Sequence, residues 1–321
     1  MISVILTAFN RKEFLDIALE SVVSCANKDI SYEVLVCTKF KISSNKNADN
    51  KIFFYHFPEA ISKANLMAQG TLKSKGEIIC FLDDDDIFKP FKIERIAEVF
   101  QSTHGLGYIR NSVELIDTNG QVIKRNWENI RDFSYEKDKG DLSELVRHFP
   151  DFNASSISIK RDLIMRYEPL LEELNSSDDT FLFYCALSSK SKILCLGERL
   201  SEYRIHSKGI THFTGNFNKF RLNLKTKIEG DLKSHRIFAK VFKDKGFNEL
   251  LSVRIKYYSI ILRIARGETN RRDTLAESFF VIKHHDLLNM LPRRFFVVTE
   301  ALVSLFSVNL AYIVMFLLSR F

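Results

Sequence analysis

Residues 77–90 read Glu-Ile-Ile-Cys-Phe-Leu-Asp-Asp-Asp-Asp-Ile-Phe-Lys-Pro. Gly76 precedes them, and Ile78 to Leu82 form an apolar run of strand length. Asp83, Asp84, Asp85 and Asp86 then follow without a spacer. Four carboxylates at one strand end repel one another unless a cation neutralises them. Hard divalent ions such as Mg²⁺ or Mn²⁺ take carboxylate oxygens and keep positions open for phosphate. The ordinary alternative is a solvated acidic turn. The buried strand before the run, with Phe88 and Pro90 behind it, favours a site.

Working outward, Met1 to Leu6 reads as a buried strand, and no secretory leader is expected at this end. Asn10 with Glu13 fits a capping box opening a helix that continues through Val23. Short apolar runs at 32–37 and 52–56 give two further strands, separated by a polar stretch at 39–51. A helix is expected over 60–72. The order to residue 82 is strand, helix, strand, strand, helix, strand. Near-continuous apolar strands separated by helices indicate a parallel α/β sheet covered on both faces. Such sheets bind ligands outside the carboxyl ends of their strands. Further on, the pattern predicts a helix after Pro90, a hairpin over 112–123 turning at Asn119-Gly120, and a loop over 132–140. It then predicts a strand over 155–160, a helix from Arg161, a helix over 181–188 and an extended segment over 200–206. Beyond 217, periodic segments at 217–245, 247–266 and 271–284 read as helices, with turns at Gly246 and Gly267.

Composition bounds the class. The chain has 321 residues, 45% apolar and 27% charged, which excludes disorder and a multi-pass membrane protein. Twelve glycines and five prolines exclude a collagenous chain. Five cysteines stand singly, with no CxxC pair, so a reducing compartment is the simpler inference. Residues 217–321 carry 19 Lys and Arg against 9 Asp and Glu, so the net charge of +7 belongs to this third. Residues 301–318 are uncharged, flanked by Arg293, Arg294 and Arg320. A helix of that length spans about 27 Å, near a hydrocarbon core of about 30 Å. Membrane association is therefore expected, with the catalytic side cytoplasmic by the Lys/Arg bias. The segment reads as transmembrane or in-plane; a buried core helix is the bland alternative. Basic residues beside a hydrophobic tail, rather than interleaved with exposed aromatics, argue against nucleic acid.

Two later features lie at ends of expected elements. Asp178-Asp179 precede an apolar helix, where a simple helix cap is the common reading. Tyr203-Arg-Ile-His206 follows an extended segment, where a histidine is most often structural. In this order the pieces resemble a family 2 glycosyltransferase of the GT-A fold. Val4 to Arg11 resembles the opening strand and donor turn. Ala64-Asn65 and residues 75–90 resemble the approach to a DxD motif, Asp178-Asp179 the catalytic pair, and residues 200–206 the segment closing the catalytic domain.

The resemblance covers about residues 1–215 and implies a GT-A catalytic domain there. A helical accessory region over 216–292 and a membrane-associating segment over 293–321 follow. It implies a donor site of Thr7, Ala8, Phe9, Asn10, Lys63, Asn65, Asp83 and Asp84, with Phe9 against the nucleobase. It implies metal ligands Asp85, Asp83 and His206 for Mn²⁺ or Mg²⁺, with His206 alternatively on the diphosphate. Asp179 is implied as general base, Asp178 as second candidate, and Asn153, Ser155 and Ser156 as acceptor-side residues. Two positions depart from the family pattern. The second strand runs into Cys37-Thr38-Lys39 instead of ending in Asp, and Ala64 stands where Arg is common. Both leave the nucleotide open.

The leading expectation is an inverting, metal-dependent hexosyl- or N-acetylhexosaminyltransferase using a nucleotide-sugar donor and a lipid-linked or surface-glycan acceptor. Two alternatives are weighed against it. A nucleotidyltransferase would need a glycine-rich phosphate loop, and 7–11 contains no glycine. A non-catalytic membrane-attached binding protein on a decayed transferase scaffold is suggested by Cys37 and Ala64.

Overall fold

The computed structural model describes residues 1–25, 30–42, 50–124, 131–206, 217–268 and 271–288. The expected membrane-associating segment at 293–321 lies outside them. No helix among the described residues is long and apolar enough to cross a membrane.

The chain divides into two compact units. The first holds residues 1–141 and 148–205. It begins with β1 (Ile2–Ala8), α1 (Leu15–Ser24), β2 (Tyr32–Thr38), β3 (Ile52–His56), α2 (Lys63–Lys73) and β4 (Ile78–Asp83). There follow β5 (Ile87–Phe88), α3 (Lys92–Ser102), β6 (Leu106–Ile116) and β7 (Phe133–Tyr135). A short α4 (Leu142–Arg147) is grouped with the second unit. The chain returns through β8 (Ile157–Lys160), α5 (Arg161–Met165), α6 (Glu168–Glu173), α7 (Asp178–Leu187) and β9 (Lys192–Arg204).

These strands form one sheet in the order β3-β2-β1-β4-β8-β6-β9-β5, with β7 on β9. β3, β2, β1 and β4 are mutually parallel, as their unbroken apolar runs demand. β8 runs antiparallel to both β4 and β6, so the sheet is mixed from its middle outward. Alternate β1 residues Ile2, Val4, Leu6 and Ala8 pack with α1 and α3 through Ala18, Val22, Ile93 and Ile96. Glu33 ties the layers from within: its carboxylate accepts Ser3 Oγ at 2.7 Å and Lys75 N at 2.6 Å. All five cysteines are free and buried.

The turn into β4 needs its glycine. A Cβ on Gly76 would stand 2.5 Å from the backbone nitrogen of Ser3, which cannot yield as a side-chain tip can. Gly76→Ala is expected to cost about 1–3 kcal/mol, the range for forced overpacking. Urea unfolding of the full chain checks it through a lowered midpoint at unchanged slope.

The second unit contains α8 (Phe217–Val241), α9 (Lys245–Arg266) and α10 (Arg271–Lys283). Phe220, Leu224, Ile228 and Leu232 recur at four-residue spacing and are buried, as are Leu250, Leu251, Ile260 and Ile264 of α9. Gly267 closes α9 in a left-handed conformation, φ 77°. The turn expected at Gly246 lies earlier, because α9 already begins at Lys245.

Several local expectations fail informatively. The Asn10–Glu13 capping box does not form: α1 starts at Leu15, and its cap residue Phe14 makes no side-chain cap bond. Within the irregular segment 9–14, Arg11 meets Asp84 and Phe14 lies under the Arg204 guanidinium. The hairpin reduces to a turn, where Asp117 Oδ1 accepts from Asn119 N and Gln121 N and a single bridge joins Ile116 to Val122. β6 continues instead alongside β9. The expected loop at 132–140 contributes β7.

Candidate active site

The sheet register delivers the acidic run. Thr7 of β1 is level with Asp83 of β4, and Ala8 with Thr38 of β2, so three parallel strands end at one height. Thr7 and Ala8 are buried at that rim, Phe9 is half-buried and Asn10 is exposed. Lys39, just past β2, lies over the Phe9 ring at 4.6 Å. This cation takes the place of the expected Asp beside an aromatic face.

Asp83, Asp85 and Asp86 each offer an oxygen, and these oxygens lie within 4.8 Å of one another. Three convergent carboxylates fit a hard divalent cation by charge and ligand type. Asp86 was not among the expected metal residues. It is 1% exposed, and its carboxylate accepts Asn153 Nδ2 at 2.9 Å, Ser155 Oγ at 2.6 Å and Arg204 N at 3.0 Å. Burial nonetheless holds it well above the usual carboxylate range, with Asp85 and Asp83 adding repulsion. Burial also raises Asp83 against the opposing charge of Lys63, and pushes Asp84 up to about 6 against Arg11.

Asn153, Ser155 and Ser156, expected on the acceptor side, face inward. Ser155 and Ser156 are fully buried. Ser155 Oγ donates to Asp86 and accepts Asp83 N at 3.0 Å, so one hydroxyl braces both ends of the turn. Asn153 holds Asp86 from a strained backbone at φ 53°. Beneath them the fully buried Lys92 donates to Ser155 O at 2.6 Å and Ser201 Oγ at 2.7 Å. Burial lowers Lys92 to about 8. Arg204 completes the cradle, donating through Nε to Asp85 O at 2.9 Å.

The second carboxylate pair opens α7. Ser177 before it adopts a left-handed conformation, φ 61°, with no side-chain cap bond. Lys63, first residue of α2, lies 3.0 Å from both oxygens of Asp83 and 2.8 Å from Asp178 Oδ2. One ammonium therefore links the DxD turn to the Asp178-Asp179 pair. Burial opposes its charge, but Asp178 and Asp83 prevail and hold it well above the usual range. Asp179 remains partly accessible. Burial, then Asp178, pushes it up to about 7, with Lys63 opposing. Thr180 Oγ1 donates to Asp151 at 3.1 Å, bringing a further carboxylate to this end of α7.

One expected donor-side residue makes its contacts elsewhere. Asn65 is directed to Glu172 of α6, with contacts of 3.4 and 3.5 Å. His206 is buried. Arg11, to which the sequence assigns no role, reaches the acidic run. Arg11 Nη2 stands 2.7 Å from Asp84 Oδ1 and 2.6 Å from Asp85 Oδ2.

Known proteins resemble this chain in sequence or in fold. The chain is 26% identical over 220 residues to an uncharacterized glycosyltransferase of Nostoc sp., covering 64% of this chain and 65% of that protein, just under two thirds of its length. It is 23% identical over 217 residues to the O-antigen biosynthesis glycosyltransferase WbnJ of Escherichia coli, covering 65% of this chain and 81% of that one. Its structure resembles S. aureus TarS 1-349 in complex with UDP-GlcNAc, at TM-score 0.57 and 12% identity over 98% of this chain and 90% of that one. It also resembles the mannosyltransferase PcManGT of Pyrobaculum calidifontis in complex with GDP-Man and Mn²⁺, at TM-score 0.55 and 12% identity over 97% and 86%. The sheet and its flanking helices are thus of GT-A type. Residues 3–153, just under half of the chain, match the family model for Glycosyl transferase family 2.

Proposed function

We propose that the chain is an inverting, metal-dependent glycosyltransferase that moves a hexosyl or N-acetylhexosaminyl group from a nucleotide sugar to a lipid-linked or surface-glycan acceptor. The observation that carries this reading is Lys63, held by Asp83 on one side and Asp178 on the other. It joins a metal-competent turn to a carboxylate pair in one electrostatic unit. Donors of both nucleotide types occur in the structural relatives, UDP-GlcNAc with TarS and GDP-Man with PcManGT.

Asp83, Asp85 and Asp86 would hold the cation. Its charge on the donor diphosphate would favour departure of that leaving group. The chain's own residues do the rest. Thr7 to Asn10 line the donor turn, with Phe9 offered to the base. Asp179 removes the proton from the acceptor hydroxyl as its oxygen bonds to the anomeric carbon and the bond to the diphosphate breaks. Attack from the opposite face inverts the anomeric centre. Asp178, engaged by Lys63, positions the pair. His206 is assigned to the metal or diphosphate on the resemblance alone.

The test is a donor screen of UDP- and GDP-sugars with Mn²⁺ or Mg²⁺, read as transfer or as slow donor hydrolysis. Failure of every donor with either metal would overturn the enzyme reading in favour of a binding scaffold. The pH dependence adds a signature. A base works only when ionised, and Asp179 is raised to about 7, so kcat/KM should fall about tenfold per pH unit below that value. A flat profile between pH 5 and 8 would remove Asp179 from the role.

Membrane location is part of the same proposal and rests on residues 293–321. A chain ending at Pro292 is expected to leave the membrane fraction for the soluble one in detergent-free fractionation. Unchanged partitioning would sink the anchor.

A further inference from the structure

Asp85 is claimed twice. It supplies one of the three oxygens that suit a divalent cation, and it also receives Arg11 Nη2 at 2.6 Å. The same guanidinium nitrogen holds Asp84 at 2.7 Å. Two cations cannot share one carboxylate cluster at contact distance without strong repulsion, so entry of a doubly charged ion requires a resident charge to leave.

Among the described residues, Arg11 and Lys63 form ion pairs with the acidic run, and the fold distinguishes them. Lys63 is the first residue of a helix and is wedged between Asp83 and Asp178, carboxylates from different elements. Its departure would leave both sides unpaired. Arg11 lies on the irregular segment between β1 and α1, and its side chain is 22% exposed. It can swing without breaking a helix. That segment leaves the carboxyl end of β1, where a donor diphosphate would lie in a sheet of this type. The planar fork of Arg suits phosphate as well as carboxylate.

We propose that Arg11 is a stand-in cation for Asp84 and Asp85, exchanged by an incoming divalent ion and then transferred to the diphosphate of the nucleotide sugar. Metal and donor are thereby linked through one side chain, each favouring the other. This rests on the metal-dependent transferase reading and adds a mobile residue to it.

The test uses calorimetric titration of the full chain with MnCl₂ alone, then with UDP and GDP separately at saturating Mn²⁺. Arg11→Met should bind Mn²⁺ alone roughly tenfold more tightly than the wild type, because a competitor has gone. At saturating Mn²⁺ it should bind the preferred nucleotide roughly tenfold more weakly, because a phosphate partner has gone. Arg11→Lys keeps the charge and should return Mn²⁺ affinity toward wild type. Arg11→Gln serves as the second neutral variant should Arg11→Met lack a native circular-dichroism spectrum. Unchanged or weaker Mn²⁺ binding in a folded neutral variant would overturn the exchange, and unchanged nucleotide affinity would overturn the transfer. Failure of the wild type to bind Mn²⁺, or Mn²⁺ binding indifferent to Asp85→Ala, would instead overturn the underlying metal reading together with the exchange.

Discussion

Asp179→Asn should lower kcat by roughly 10²–10⁴-fold, the span that a positioned general base contributes. The amide matches the carboxylate in size and can still accept from Thr180 N, the 2.8 Å bond that Asp179 Oδ1 makes at the start of α7. Local structure should therefore survive. Donor affinity should remain near wild type, since the loss falls on acceptor activation. Steady-state kinetics with the donor found by screening would separate these effects, because a change confined to KM would mean lost binding, not lost chemistry. The acid limb of the pH profile should vanish with the carboxylate. Transfer retained at the wild-type rate would assign the proton to another group, and Asp151, tied to Thr180, would be the next to test.

Asp85→Ala should reduce transfer by at least roughly 10²-fold, comparable to removing one preorganised charge contact at a developing anion. It deletes one of three convergent oxygens and a carboxylate that holds Arg11. The metal readout is independent of turnover. Mn²⁺ at about 100 times its dissociation constant should stabilise the wild type by about 2.7 kcal/mol, and the variant much less. Equal stabilisation of both would place the ion elsewhere.

The strands were legible where apolar runs ended abruptly in charge. Ile78 to Leu82 must be buried and Asp83 to Asp86 cannot be buried alone, so the boundary between them marks a rim. Asp178-Asp179 alone read as an ordinary helix cap, and it was the resemblance to the transferase family that singled the pair out. What joins these pieces was not legible. Arg11 meets Asp84 across 73 positions, Ser155 meets Asp86 across 69, and Lys63 meets Asp83 across 20. Sequence spacing carries no information about such pairs. Local signals also yielded to distant ones: Asn10 and Glu13 form a good helix-start pattern, yet the neighbouring Arg11 is drawn to the acidic turn and the helix begins later. The left-handed Asn153 and Ser177 were hidden because neither is glycine, the residue that normally advertises such a backbone.

The buried thiols have a practical corollary. Burial pushes Cys25 up to about 11 and Cys37 and Cys195 up to about 12, and holds Cys80 and Cys185 above the ordinary thiol range. The nucleophilic thiolate is therefore scarce at neutral pH. The native chain offers a quiet background for maleimide labelling, so one cysteine installed on the outer face of α8 would report by fluorescence without first removing any of the five.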